Sequence, residues 1–136
     1  MHLEPTATVA HDIECAARCV ATVLITGGDP TRRLAAARLV HERSARCAGP
    51  FVVCDGAETC WEAAAGGTAF LQEVGDLDAV RQNELLQLLD RPRDRPNALR
   101  IIGGSGCDLA QRIAANTFSD TLFYRLNVIH IMIPTV

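Results

Sequence analysis

The chain's 136 residues carry thirteen arginines and no lysine, sixteen acids, a formal charge of −3 and 49% hydrophobic content. That supplies one adequate core at single-domain length, and arginines scattered along a slightly acidic chain leave no electrostatic footprint for nucleic acid. No run of eighteen apolar residues occurs, and Met1-His2-Leu3-Glu4-Pro5 lacks the regions of a signal peptide, so the expectation is a cytoplasmic protein with no membrane partner.

In chain order, residues 1–19 read as a helical lead-in and 20–136 as one α/β core. Cys15 and Cys19 are expected to share a helix face at i and i+4. The apolar run 20–26 reads as a strand, and Gly27-Gly28-Asp29-Pro30-Thr31-Arg32-Arg33-Leu34 follows it where a phosphate loop would lie. Such a loop needs glycines whose N–H groups face the phosphates, a lysine for the β/γ-phosphates and a hydroxyl for Mg²⁺. Here Arg32 and Leu34 occupy the second glycine and hydroxyl positions, and Arg33 stands for the lysine with a planar fork in place of a compact ammonium. Pro30 removes one N–H donor. Gly27, Gly28, Thr31 and Arg33 are therefore the candidate cofactor-binding residues of a vestigial loop.

Beyond it, 31–47 shows three- and four-residue apolar spacing and reads as a helix, 51–54 and 68–74 as strands, and 77–89 as a second helix. The stretch 90–97, with two prolines and alternating charge, reads as an exposed connector. A strand at 99–103, short helices at 108–115 and 119–126, and a strand at 128–133 complete the chain. Strands apolar over most of their length, alternating with helices, imply a parallel sheet covered on both faces. The six cysteines form no C-x-x-C pair, so buried reduced thiols and no metal are expected. His41 in a helix and His130 in a strand have no ligand spacing and are assigned surface or satisfied-core roles.

Two stretches carry a resemblance. Gly66-Gly67-Thr68-Ala69-Phe70-Leu71-Gln72-Glu73-Val74-Gly75-Asp76-Leu77 resembles the second nucleotide motif, GGTLFLDEIGDL, of the AAA+ domains of sigma-54-dependent transcriptional activators. Leu122-Phe123-Tyr124-Arg125-Leu126-Asn127-Val128-Ile129 is similar to their DLYYRLNV segment. The resemblance spans about residues 20 to 134 and implies a five-stranded parallel sheet flanked by helices, in the order 5-1-4-3-2.

It also defines departures. The family's Mg²⁺-holding Asp aligns with Gln72, a poor partner for a hard cation, leaving Glu73 as a solvated acid at a strand end; both are vestigial and no catalytic residue is assigned. The polar sensor after the fourth strand is replaced by Gly103-Gly104-Ser105-Gly106. Only ten residues separate Asp55 from Gly66, where relatives carry the GAFTGA loop that grips the sigma factor, and the segment before the fourth strand is shortened. The sequence stops where the family's helical lid begins. Of two arginines that act on a neighbour's nucleotide, the first aligns with Ser119 and the second is Arg125, expected to pair with a local acid such as Asp120. Arg125, Phe123 and Tyr124 are the candidate partner-binding residues. The resulting expectation is a catalytically inactive module of transcription control without ATP or Mg²⁺, whose partner is itself or a full-length AAA+ activator subunit. Residual nucleotide binding without hydrolysis, and a receiver-like phosphoacceptor at Asp55, are the alternatives.

Overall fold

A computed structural model describes residues 7–55, 61–92, 95 and 97–134. The helix α1 (Ala7–Ala17) is followed by β1 (Val23–Gly27), α2 (Pro30–Glu42) and β2 (Phe51–Cys54). After a 3-10 turn at Trp61–Ala64 come β3 (Thr68–Leu71), a second 3-10 turn at Val74–Asp76 and α3 (Ala79–Leu89). The rest is β4 (Arg100–Ser105), α4 (Leu109–Ala114), α5 (Asp120–Leu126) and β5 (Ile129–Ile133).

Every pairing is parallel and the strand order is β2-β3-β4-β1-β5, the expected order read from the other edge. It corrects the receiver-like alternative, because a receiver has the order 2-1-3-4-5 and here β1 lies between β4 and β5.

Alternation along the strands sends side chains to two cores. Val23 and Ile25, Phe70, Ile102 and Ile131 face α1 and α2, meeting Val9, Ile13, Ala37 and Val40. Leu24, Ala69, Leu71 and Ile101 face the other helices, meeting Leu85, Leu88, Leu109, Leu122 and Leu126. The lead-in helix thus packs into the same body as the core. The buried Arg100 holds it there: Nη2 donates to Ala16 O at 2.6 Å and Nε to Ala21 O at 3.0 Å.

Several boundaries differ from expectation for local reasons. The helix read as 31–47 ends at Glu42, because the Ser44 hydroxyl donates to His41 O at 2.7 Å and takes a terminal carbonyl. The third strand ends at Leu71, where Glu73 caps a 3-10 turn. The fourth continues through Ser105, so Gly103 and Gly104 lie within it. The connector 90–97 is only partly within the described residues.

Candidate functional site

The loop after β1 is built around contacts of its own chain. Gly27 and Gly28 both have positive φ, +78° and +57°, and a methyl group on Gly27 would lie 2.2 Å from Ile133 O. Close approach to β5 therefore requires glycine at Gly27, independently of any ligand. Asp29 caps α2, its carboxylate accepting from Arg32 N at 2.8 Å, and Pro30 occupies the first turn. The positive end of the helix, an attractive place for an anion, thus already holds a carboxylate. Thr31 is exposed.

Arg33 is 5% exposed and turns back under the loop. Its Nη1 donates to Gly27 O at 2.8 Å and Gly28 O at 3.3 Å. Its Nη2 lies over Gly106, where a methyl group would come within 2.9 Å. Nε is buried and has no acceptor among the described residues. The guanidinium that replaces the lysine thus addresses carbonyl oxygens of the loop.

Gly106 also joins this loop to the end of β3. Its N–H donates to Glu73 Oε1 at 2.7 Å, while Gly75 N donates to Oε2 at 2.9 Å and the Cys107 thiol lies 3.6 Å from Oε2. Glu73 is half-buried, and a freely solvated acid is not what the structure contains. Burial pushes its pKa up, but hydrogen bonds from Gly106 N–H, the Ser105 hydroxyl, Gly75 N–H and the Cys107 thiol outweigh that and hold it below the ordinary glutamate value. A carboxyl whose folded pKa is depressed stabilises the fold above its unfolded pKa, and loses that contribution as pH falls through the folded value. Wild-type stability should therefore drop more steeply than that of Glu73→Gln below roughly pH 4.3. Urea titrations of both proteins across that range would check it, and parallel curves would remove Glu73 as a source of acid sensitivity.

The remaining nucleotide-motif positions are plain. Gln72 is exposed and its backbone N–H donates to Cys54 O at 2.9 Å. In the sensor region the polar side chain is Ser105, 1% exposed and hydrogen-bonded with Cys107. Arg112, which the sequence reading passed over, reaches the same rim and donates to Gly75 O at 2.9 Å. Its partner, 37 residues earlier in the chain, had no local signal in the sequence.

Arg125 does not pair with Asp120. Nη1 meets Asp90 Oδ1 at 2.6 Å and Nη2 donates to Leu89 O at 2.9 Å, because α5 packs beside the end of α3. Phe123 is half-buried and Tyr124 is 74% exposed, their rings edge to face at 5.7 Å. Val128 and Met132 are exposed large apolar side chains that follow in the chain.

The thiols depart most from expectation. Cys15, Cys19 and Cys47 are exposed, Cys54 is buried and Cys107 is intermediate, while Cys60 lies outside the described residues. Cys19 falls beyond α1, which ends at Ala17. His41 is the satisfied core histidine expected: Nε2 donates to Gly49 O at 3.1 Å, which leaves Nδ1 to accept from the Thr68 hydroxyl at 2.8 Å. His130 is exposed, with Nε2 2.7 Å from Thr26 Oγ1. No group of three metal-ligating side chains occurs among the described residues, and no described helix is long and apolar enough to cross a membrane.

Comparison with known proteins gives these positions their context. Residues 4–136 match the family described as the Sigma-54 interaction domain. The chain is 32% identical over 148 residues to the regulatory protein AtoC of Escherichia coli, covering 84% of this chain and 32% of that protein. It is also 32% identical over 165 residues to the nitrogen fixation protein VnfA of Azotobacter vinelandii, covering 96% and 32%. The chain spans about a third of the length of these relatives. The AtoC alignment has more positions than the whole chain has residues, so that relative carries segments this chain lacks. Among solved structures, NtrX from Brucella abortus in complex with ATP superposes with a TM-score of 0.82 at 27% identity, covering 98% of this chain and 39% of that one. The P-loop NTPase domain of the sigma-54 transport activator from E. coli matches with a TM-score of 0.77 at 21% identity, covering 95% and 94%, and supports the fold. With its two motif stretches on one parallel sheet and its match over residues 4–136, the chain belongs to the sigma-54 interaction domain family, the AAA+ domain of bacterial transcriptional regulators.

Proposed function

We propose that this chain is a catalytically inactive AAA+ core that acts in transcription control as a protein-interaction module, docking on another copy or on a full-length activator subunit. The carrying observation is the internal occupation of the phosphate loop. Asp29 supplies the anion at the N-terminus of α2, and Arg33 is bonded to the carbonyls of Gly27 and Gly28. These residues do not fit a magnesium nucleotide. A phosphate would face a carboxylate, the ammonium is absent, and Gln72 offers a neutral amide in place of the Mg²⁺-holding acid. Together these losses remove the charges that stabilise a transferring phosphoryl group.

Purified protein is expected to show no ATP turnover above background and no Mg-ATP-dependent rise in melting temperature. Turnover abolished by Glu73→Gln would overturn the reading. The docking arm is read by titrating the chain into a full-length activator and following assembly size. Tyr124→Ala is expected to weaken association without changing the melting temperature, since the ring is mostly in solvent. Arg125→Ala is expected to cost under about 1 kcal/mol of stability, the range of a surface ion pair. If the chain sediments as a monomer and leaves the activator's assembly and ATPase rate unchanged at large excess, the docking reading fails.

Residual phosphate binding has one observation in its favour: Arg33 Nε is buried without an acceptor among the described residues. A pyrophosphate-dependent thermal shift that vanishes in Arg33→Met would promote this second reading.

A further inference from the structure

Exposed cysteines are uncommon, because the thiol is among the most frequently buried side chains. Two of those exposed here sit four residues apart at the end of α1, each beside a group that acts on a thiol. Cys15 Sγ lies 3.5 Å from His11 Nε2, and both residues are exposed. Cys19 Sγ donates to Ala16 O at 3.7 Å and lies 4.0 Å from Nη2 of the buried Arg100. A partly exposed thiol beside a base or a cation is the setting in which cysteines react.

The geometry points to Cys15 and Cys19 as an oxidation site, with Cys15 the attacking thiol and Cys19 the resolving one, their oxidant a hydroperoxide. The Cys15 proton passes to His11 Nε2, and the sulfur attacks the peroxide O–O bond. That bond breaks, the leaving oxygen takes a proton and departs as an alcohol, or as water from hydrogen peroxide, and Cys15 becomes a sulfenic acid. Cys19 sulfur then attacks Cys15 sulfur, the S–O bond breaks, and hydroxide leaves with the Cys19 proton as water. Two thiols lose two electrons and the peroxide gains them. Cys15 lies two residues before the end of α1 at Ala17 and Cys19 two residues beyond it, so the short turn between them need only bring the α-carbons within the roughly 4.4–6.8 Å that a disulfide accepts. The turn continues to Cys19 through the hydrogen bond from Cys19 N to Ala16 O at 3.5 Å.

The bridge has a structural consequence, because Ala16 O accepts from both Cys19 Sγ and Arg100 Nη2. Drawing Cys19 toward Cys15 removes the sulfur from that cluster. Oxidation therefore acts on the attachment of α1 to the sheet, apart from the phosphate loop and Tyr124.

The test uses the intact chain. Brief iodoacetamide labelling with peptide mapping should modify Cys15 about tenfold faster than exposed Cys47, and His11→Gln should erase that advantage. Stoichiometric hydrogen peroxide should remove two hydrogen atoms from the intact mass, with the linkage mapped between Cys15 and Cys19. Cys19→Ser should instead accumulate the Cys15 sulfenic acid, trapped by dimedone, and Cys15→Ser should give neither product. Equal labelling of Cys15 and Cys47, indifference to His11→Gln, or a disulfide involving other cysteines would overturn the proposal. All these substitutions are at exposed positions, so a circular dichroism spectrum identical to wild type is the accompanying control.

Discussion

Replacing Phe70 with alanine is expected to cost about 3–5 kcal/mol, the range for emptying a buried aromatic site. The side chain is 1% exposed on the α1/α2 face of β3, its ring stacked 6.4 Å from that of Phe51. On β4, a methyl group added to Gly104 would come within 3.0 Å of the Phe70 ring, so the ring and this glycine fit each other. The surrounding strand backbone cannot collapse into the vacated volume, which favours the upper part of the range. Because a domain of this size holds roughly 5–15 kcal/mol in total, Phe70→Ala should be largely unfolded at modest urea concentration. A loss below about 1 kcal/mol would mean that the β3 side chain is not where the sheet register places it.

The second large effect is expected at Gly27. Alanine there meets two penalties: a left-handed backbone conformation, costing roughly 1–2 kcal/mol for a residue with Cβ, and a methyl group 2.2 Å from the backbone oxygen of Ile133. Overpacking typically adds about 1–3 kcal/mol, so the total is about 2–5 kcal/mol. Gly28→Ala provides the comparison. Its φ is also positive, but its methyl group would meet the Ile133 side chain at 2.6 Å, and a side chain can yield where a paired strand cannot. Denaturant midpoints should rank wild type above Gly28→Ala and Gly28→Ala above Gly27→Ala. The reverse order would show that Gly28, and not the β1–β5 junction, sets the loop's geometry.

The inner strands β3, β4 and β1 were legible because they are buried along most of both faces and therefore read as short apolar runs bounded by turn residues. Val23-Leu24-Ile25 and Thr68-Ala69-Phe70-Leu71 are examples. Strand order came from family resemblance, since alternation alone fixes only the class. Helix starts were written locally: Asp29, Asp78, Asp108 and Ser119 each cap the helix that follows. Helix ends were less visible, as with the Ser44 hydroxyl that terminates α2.

The partners of long charged side chains were not legible at all. Arg100 serves carbonyls 79 and 84 residues earlier in the chain. Arg125 reaches Asp90, 35 residues away, and passes over the nearby Asp120. Gln82 is a polar clamp of the same kind, donating to Leu77 O and Thr117 O and accepting from Ser119 N. Cysteine exposure was missed because residue type predicts burial only on average, while the end of α1 leaves Cys15 and Cys19 at the surface.

The carboxylate cap of Asp29 and the inward turn of Arg33 have a bearing on how this protein is maintained in a cell. A domain that binds a nucleotide only when folded gains stability by mass action, about 2.7 kcal/mol at a hundredfold excess of ligand over its Kd. Its folded fraction then follows the supply of that ligand. Where the helix end is neutralised by Asp29 and the loop carbonyls are held by Arg33, the same role is filled by groups whose concentration never varies. On the proposed reading, the folded population of this chain is therefore uncoupled from the cell's adenylate pool. It would present the same surface to its partner in starvation as in growth.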